Sequence, residues 1–211
     1  MVEILQIAPQ DIEGESFRII AEELGPTTFS DQEFAVVQRC IHATGDFSFA
    51  ENLKFNHGAI AAGLRAIRAG KNILVDVNMA AAGVSRAMLA AFGGQVICHV
   101  GEPETAEMAK QNGTTRSDAA ILRAVEENIG IVAVGNAPTA LLKAMELIET
   151  GRFAPDLVIG APVGFVNAAE SKALLAEKDF PHIVSLGRKG GTPVAVATVN
   201  ALIRLAKKEA E

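Results

Sequence analysis

The chain has 211 residues, 49% of them hydrophobic, and a formal net charge of −6. That length suits one domain with a sizeable core, and the acidic balance argues against a nucleic-acid partner, whose binders carry basic surfaces. Neither Trp nor Tyr is present to stack on bases, no apolar run approaches membrane-spanning length, and the acidic start MVEILQIAPQDIEGES is not expected to be a signal peptide. Cys40 and Cys98 stand far apart without a CxxC, so they are expected to be reduced, buried small hydrophobes in a cytoplasmic protein.

The first part of the chain reads as helical. QDIEGESFRIIAEELG has amphipathic spacing and stops at Gly25-Pro26. SDQEFAVVQRCIHATG offers Ser30 as N-cap with Glu33 three residues on, a capping box, and its helix runs toward Thr44-Gly45. His42 therefore falls near a helix C-terminus. HGAIAAGLRAIRAGKN predicts a third helix closed by Gly70. No strand is expected in this segment, which reads as a helical prelude packed over a sheet.

From residue 72 the pattern changes. NILVDV, QVICHV, GIVAVG, DLVIGAP and HIVSLG are short β-branched runs with little alternation, as in strands buried on both faces. AAAGVSRAMLAAF, PETAEMAKQN, SDAAILRAVEENI, PTALLKAMELIETG and NAAESKALLAEK separate or follow them with helical spacing. Alternating strands and helices predict right-handed crossovers: a three-layer α/β/α fold, Rossmann-like, on a five-stranded parallel sheet with an N-terminal helical extension.

Open parallel sheets bind ligands beyond the carboxyl ends of their strands. Asn78 and Arg86 follow the first run, Arg116 precedes a helix, and GRKGGTP places Arg188, Lys189 and two glycines after the last. That last turn could cradle a phosphate or carboxylate, or be a plain Gly-rich turn with solvated charges. No GxGxxG or GxxxxGK[ST] appears, which counts against a nucleotide-dependent enzyme, and no GxSxG supports a hydrolase. His57 reads as a surface or capping residue, His99 as a hydrogen-bonded core histidine, and His182 as exposed. No histidines stand at metal-ligand spacing, so a metal site is not expected. Asp46 and Asp76 are lone acids that could orient a base but more often cap or pair locally. On chemistry alone, His42 reads first as a buried helix-end histidine stabilised by the helix dipole, ahead of an acid–base group.

RCIHATGDFSF, ILVDVNMAAAGVSR, AVGNAPTALL, PDLVIGAPVGFVNAAESK and GRKGGTPVAVATVNAL, in this order, resemble the precorrin-8X methylmutase family of cobalamin biosynthesis from about Ile12 to about Leu202. The resemblance implies a single domain over residues 1–211, a homodimer with clefts near the subunit interface, and movement of one methyl group from C11 to C12 of a corrinoid. It implies no cofactor and no protein metal. It assigns catalysis to His42 and substrate contact to Ser16 and Arg39.

The chemistry is consistent with this. A methyl shift around a conjugated ring has no leaving group, and a proton placed near a ring nitrogen polarises the π system, a general-acid task suited to histidine. Phe47, Phe49, Val163 and Phe165 would supply an apolar floor. Ser16, Arg39, Thr44, Asn78, Arg86, Arg116 and Lys189, with Gly190 and Gly191, are candidates to face the acetate and propionate arms. A tetrapyrrole carrier without catalysis is the competing reading. Carriers have no need of a histidine aimed at the ring.

Overall fold

The computed structural model describes residues 6–56 and 58–209, so His57 lies outside the described residues. A 3-10 turn, Pro9–Asp11, leads into α1 (Ile12–Leu24). α2 (Asp31–Thr44) begins with the expected capping box: Ser30 N–H donates to the Glu33 carboxylate at 2.9 Å, and Glu33 N–H donates to Ser30 Oγ at 3.4 Å. Gly45, with φ 65°, supplies the left-handed residue that ends α2 directly after the His42 turn. There follow α3 (Phe49–Asn52), β1 (Leu53–Phe55), α4 (Ala59–Arg68) and β2 (Asn72–Val75).

The helix expected over 80–92 is two helices, α5 (Asn78–Gly83) and α6 (Arg86–Ala90). Val84 is extended, and Asn200 holds the break open: its side chain accepts from Ser85 N–H at 2.9 Å and donates to the Gly83 carbonyl at 3.0 Å. The remaining elements are β3 (Val96–Ile97), α7 (Pro103–Asn112), α8 (Arg116–Arg123), β4 (Ile129–Val134), α9 (Pro138–Glu149), β5 (Leu157–Gly160), α10 (Ala168–Ala176), β6 (His182–Ser185) and α11 (Thr192–Lys208).

The sheet order is β1-β6-β5-β4-β2-β3. β2 to β6 are parallel at the five predicted runs, while β1 pairs antiparallel with β6, Leu53 opposite Ser185. The sheet thus has six strands rather than five, and the helical prelude contains one of them. Three residues, with Lys54 exposed, are too few to show a period. Pairing and the flanking asparagine define this strand: Asn56 donates to the Phe180 carbonyl at 2.9 Å and accepts from His182 N–H at 2.9 Å. The same cover corrects the expectation for His182, which is buried, its Nδ1 3.0 Å from the Phe180 carbonyl oxygen. Burial lowers its pKa.

The continuous apolar runs still alternate between layers. Ile73, Val75, Ile131, Ala133, Leu157 and Ile159 join the core under α2, α4, α5, α6 and α11. Leu74, Val132, Val134, Val158 and Val184 join a second core under α8, α9 and α10. Each fully buried Val, Leu or Ile among them contributes roughly 1.5–3 kcal/mol relative to exposure. Cys40 is buried as expected, and desolvation pushes its thiol up to about 12, whereas Cys98 is only half-buried.

Candidate active site

The topology reverses direction between β2 and β4, where doubly wound sheets usually hold a ligand. Here protein fills that crevice. Asp76, buried at the end of β2, accepts the amides of Gly135 at 3.0 Å and of Asn136 and Ala137 at 2.7 Å. Desolvation raises its carboxyl pKa, and these amides oppose the rise. The start of α11 closes the space above: a Cβ on Gly135 would lie 2.7 Å from Thr192 Cα. The amides that would meet an incoming anion are spent on an internal carboxylate. Of the two roles weighed for Asp76, local capping holds.

His42 lies elsewhere, on the exposed last turn of α2, and it forms a wall shared by two hollows. One, of ≈ 290 Å³, runs between α2 and α11 and is lined by Arg39, His42, Pro193, Val196, Asn200 and Arg204 among others. The second, of ≈ 230 Å³, lies between α1 and α2 and includes Ser16, Ile19, Ile20, His42, Gly45 and Phe47. Phe17 from α1 meets the imidazole edge-on, ring centroids 5.3 Å apart, and the Arg39 guanidinium lies 4.9 Å from the Phe17 centroid. One aromatic ring thus contacts both groups that the helical spacing of three places on one face of α2. Ser16 lines the second hollow, with its hydroxyl proton donated to the Ile12 carbonyl at 2.8 Å.

The other candidates separate. Thr44 donates to the Cys40 carbonyl at 2.8 Å and serves the end of α2. Lys189 joins the two sequence motifs: its Nζ lies 2.7 Å from Asp46 and 3.0 Å from Ser48 Oγ, tying the loop after β6 to the loop after α2. That hydrogen bond, then those from Ser48, hold the Asp46 carboxyl down to about 2. Arg86 turns back to the Ala81 carbonyl at 3.1 Å, near the α5–α6 break that Asn200 links to the α2/α11 groove. Asn78 is exposed at the start of α5, at the carboxyl end of β2 as expected. Arg116 begins α8 on the other face of the sheet and lines neither of the two His42 hollows. The apolar floor is split in the same way. Phe47 lines the α1/α2 hollow, Phe49 is buried in the core, and Val163 and Phe165 are exposed on the loop after β5, where Arg188 lies 5.4 Å from the Phe165 centroid.

Several residues at the site were not singled out in the sequence. Phe17 stands next to Ser16 on the same helix. Asn200 and Arg204 are polar positions four apart on a largely apolar helix, a spacing that marks one face. Lys172 occupies the buried stripe Ala168–Ser171–Lys172–Leu175 of α10. Its Nζ donates to the Lys189 carbonyl at 2.6 Å, and burial lowers its pKa to about 8. Gly190 in the same turn has φ 156°, and a Cβ there would lie 2.4 Å from the Ala161 carbonyl oxygen, so only glycine lets the two loops approach this closely.

Fold and site together define a doubly wound α/β protein whose acid–base candidate sits on the helical layer, clear of the usual crevice. The chain belongs to the precorrin-8X methylmutase family, whose model matches residues 11–205. It is 45% identical over 203 residues to the cobalt-precorrin-8 methylmutase of Priestia megaterium, covering 96% of this chain and 90% of that protein. It is 40% identical over 196 residues to the precorrin-8X methylmutase of Pseudomonas aeruginosa, covering 92% and 94%. The crystal structure of a precorrin-8X methylmutase from Thermus thermophilus superposes with a TM-score of 0.88 at 48% identity, covering 95% of this chain and 97% of that one.

Proposed function

We propose that this protein is the isomerase that moves a methyl group from C11 to C12 of the corrinoid ring, acting on precorrin-8X or on cobalt-precorrin-8. Relatives with both names match the chain at similar identity. The observation that carries the reading is the position of His42: the family's motif histidine is exposed between two hollows, one lined with Arg39 and one with Ser16.

In this reading the flat ring lies along the α2/α11 groove against Ala43, Pro193 and Val196. His42, as imidazolium, hydrogen-bonds or protonates a ring nitrogen and draws electron density from the conjugated system. The bond from the methyl to C11 breaks as its bond to C12 forms. No atom leaves, and the proton lent to the ring returns to the imidazole. Phe17 fixes the plane of the imidazole, and cationic side chains receive the carboxylate arms. We place the reaction in the cytoplasm, in a homodimer in which residues 1–211 act as one unit. The exposed apolar side chains Ile12 and Ile19 on α1, and Phe165 and Val166 after β5, support a further covering surface.

Incubation with precorrin-8X and with its cobalt form, followed by absorption spectra of the products, tests the activity. Conversion of either form supports it, and binding without conversion supports the carrier. Sedimentation at micromolar concentration tests the assembly, with a monomer counting against the dimer.

A further inference from the structure

The Glu13 carboxylate of α1 lies 3.0 Å from Arg39 Nη1 and 3.9 Å from Arg204 Nη2. These arginines come from α2 and α11 and stand on opposite sides of the His42 groove. The same two side chains also line the adjoining hollow of ≈ 170 Å³, with Phe17, Gln38 and Lys208. They form a cationic bar across the groove, three residues (~4.5 Å of rise) along α2 from His42. His42 lines the hollow on one side of the bar and Lys208 the hollow on the other. Among the described residues the carboxylate that meets the bar is that of Glu13, and it belongs to α1, whose only buried residue is Ile20.

We infer that Glu13 occupies the position of a substrate carboxylate, and that Arg39 and Arg204 together form a clamp for one acetate or propionate arm of the corrinoid. The inference rests on the methylmutase reading above. An arm entering the groove replaces Glu13 and exchanges one carboxylate for another on the same two guanidinium groups. The clamp therefore stays satisfied in both states, and only the Glu13 contact of α1 is given up as the groove fills, with Phe17 still packed on His42 and Arg39. Arg39, well shielded by Phe17, offers a fixed guanidinium, while Arg204 is 48% exposed and can turn toward the arm. Hydrogen bonding to Arg39, with the charges of Arg39, Arg204 and His42, keeps Glu13 ionised against a modest desolvation cost, so the contact persists across the neutral range.

The test is equilibrium binding of two probes to the full-length protein: cobyrinate, with free carboxylates, and its heptamethyl ester, with the same ring and neutral arms. Glu13→Gln should tighten cobyrinate binding by about two- to fivefold, the range in which an exposed ion pair is stabilised. It should leave the affinity for the ester unchanged. Arg204→Met should weaken cobyrinate binding by roughly tenfold, as for loss of a charge-assisted hydrogen bond, again without effect on the ester. In the Arg204→Met background the gain from Glu13→Gln should shrink. Glu13 and Arg204 are each about half exposed, so neither substitution removes core packing. If Glu13→Gln leaves cobyrinate affinity unchanged or lowers it, or if acid and ester respond alike, Glu13 is a structural tie and the inference fails. If the unsubstituted protein binds neither probe and converts neither substrate form, the methylmutase reading fails and this inference falls with it.

Discussion

The crevice between β2 and β4 and the groove between α2 and α11 belong to one molecule and are built on opposite terms. In the crevice every strong donor is satisfied internally: Asp76 takes three amides, and Thr192 fills the remaining space. In the groove ionisable side chains line the hollow. His42 is exposed, and Arg39 and Arg204 are held by one partly exposed carboxylate. A buried, satisfied polar network rigidifies a fold, whereas exposed groups with displaceable partners can exchange them for a ligand. The difference teaches that a doubly wound sheet need not bind at its switch point once protein occupies it. Functional groups can then sit on the flanking helices.

Substitutions can break this comparison from either side. The largest expected effect is in the groove. His42→Ala should cut turnover by ~10²–10⁴-fold, the range for a lost general acid. Because His42 is exposed, the melting temperature should barely move, and cobyrinate should still bind. Full turnover by His42→Ala would make it a helix-end histidine held by packing.

In the crevice the effect should be on stability. Asp76→Ala leaves three amides without their acceptor and should cost about 3 kcal/mol, a drop in melting temperature of roughly 6–12 °C for a chain of this size. Turnover by the protein that remains folded should stay near normal. A loss of turnover without a loss of stability would move the chemistry into the crevice and invert the comparison.

Lys189→Ala sharpens the boundary between the two regions. It removes the contacts to Asp46 and Ser48 that tie the β6 loop to the His42 turn. Cobyrinate affinity should fall about two- to fivefold, with a smaller change in turnover. No change in affinity would remove Lys189 from the rim.

The smallest effect is expected just beyond β3, at a group that belongs to neither region. His99 has one ring nitrogen 2.8 Å from Glu102 and the other 3.0 Å from Glu127. Burial of the ring is the largest single influence and opposes charging, but the two glutamates together outweigh it and raise the pKa above 6.5. A raised folded-state value means that this contribution to stability is complete below 6.5 and is lost as pH rises through the folded value. The melting temperature of the natural chain should therefore fall slightly over that window relative to His99→Ala, with turnover unaffected by the substitution. Parallel pH profiles for the two proteins would show that the contacts of His99 with Glu102 and Glu127 contribute nothing to stability.

Much of the architecture was legible because it follows from local chemistry. The capping box at Ser30, the glycine after Thr44 and four of the five buried runs each express a short-range rule, and each stands where it was expected; the fifth, QVICHV, pairs over two residues only and is half-buried. The spacing of Arg39 and His42 likewise put both on one face of a helix before any contact was known. Other features depend on distant partners. β1 exists because β6 offers an edge and Asn56 stitches it. His182 is buried by that same strand. The break between α5 and α6 is held by Asn200, from a helix more than a hundred residues later. The identity of the groove's charges belongs to this second class. Arg204 reads as a solvated helix charge until packing of α11 on α2 sets it across from Arg39, and Glu13 until α1 lies over both. Periodicity and capping act within a few residues and survive in the sequence, whereas pairing of side chains across helices is fixed only when hydrophobic burial has chosen which helices touch.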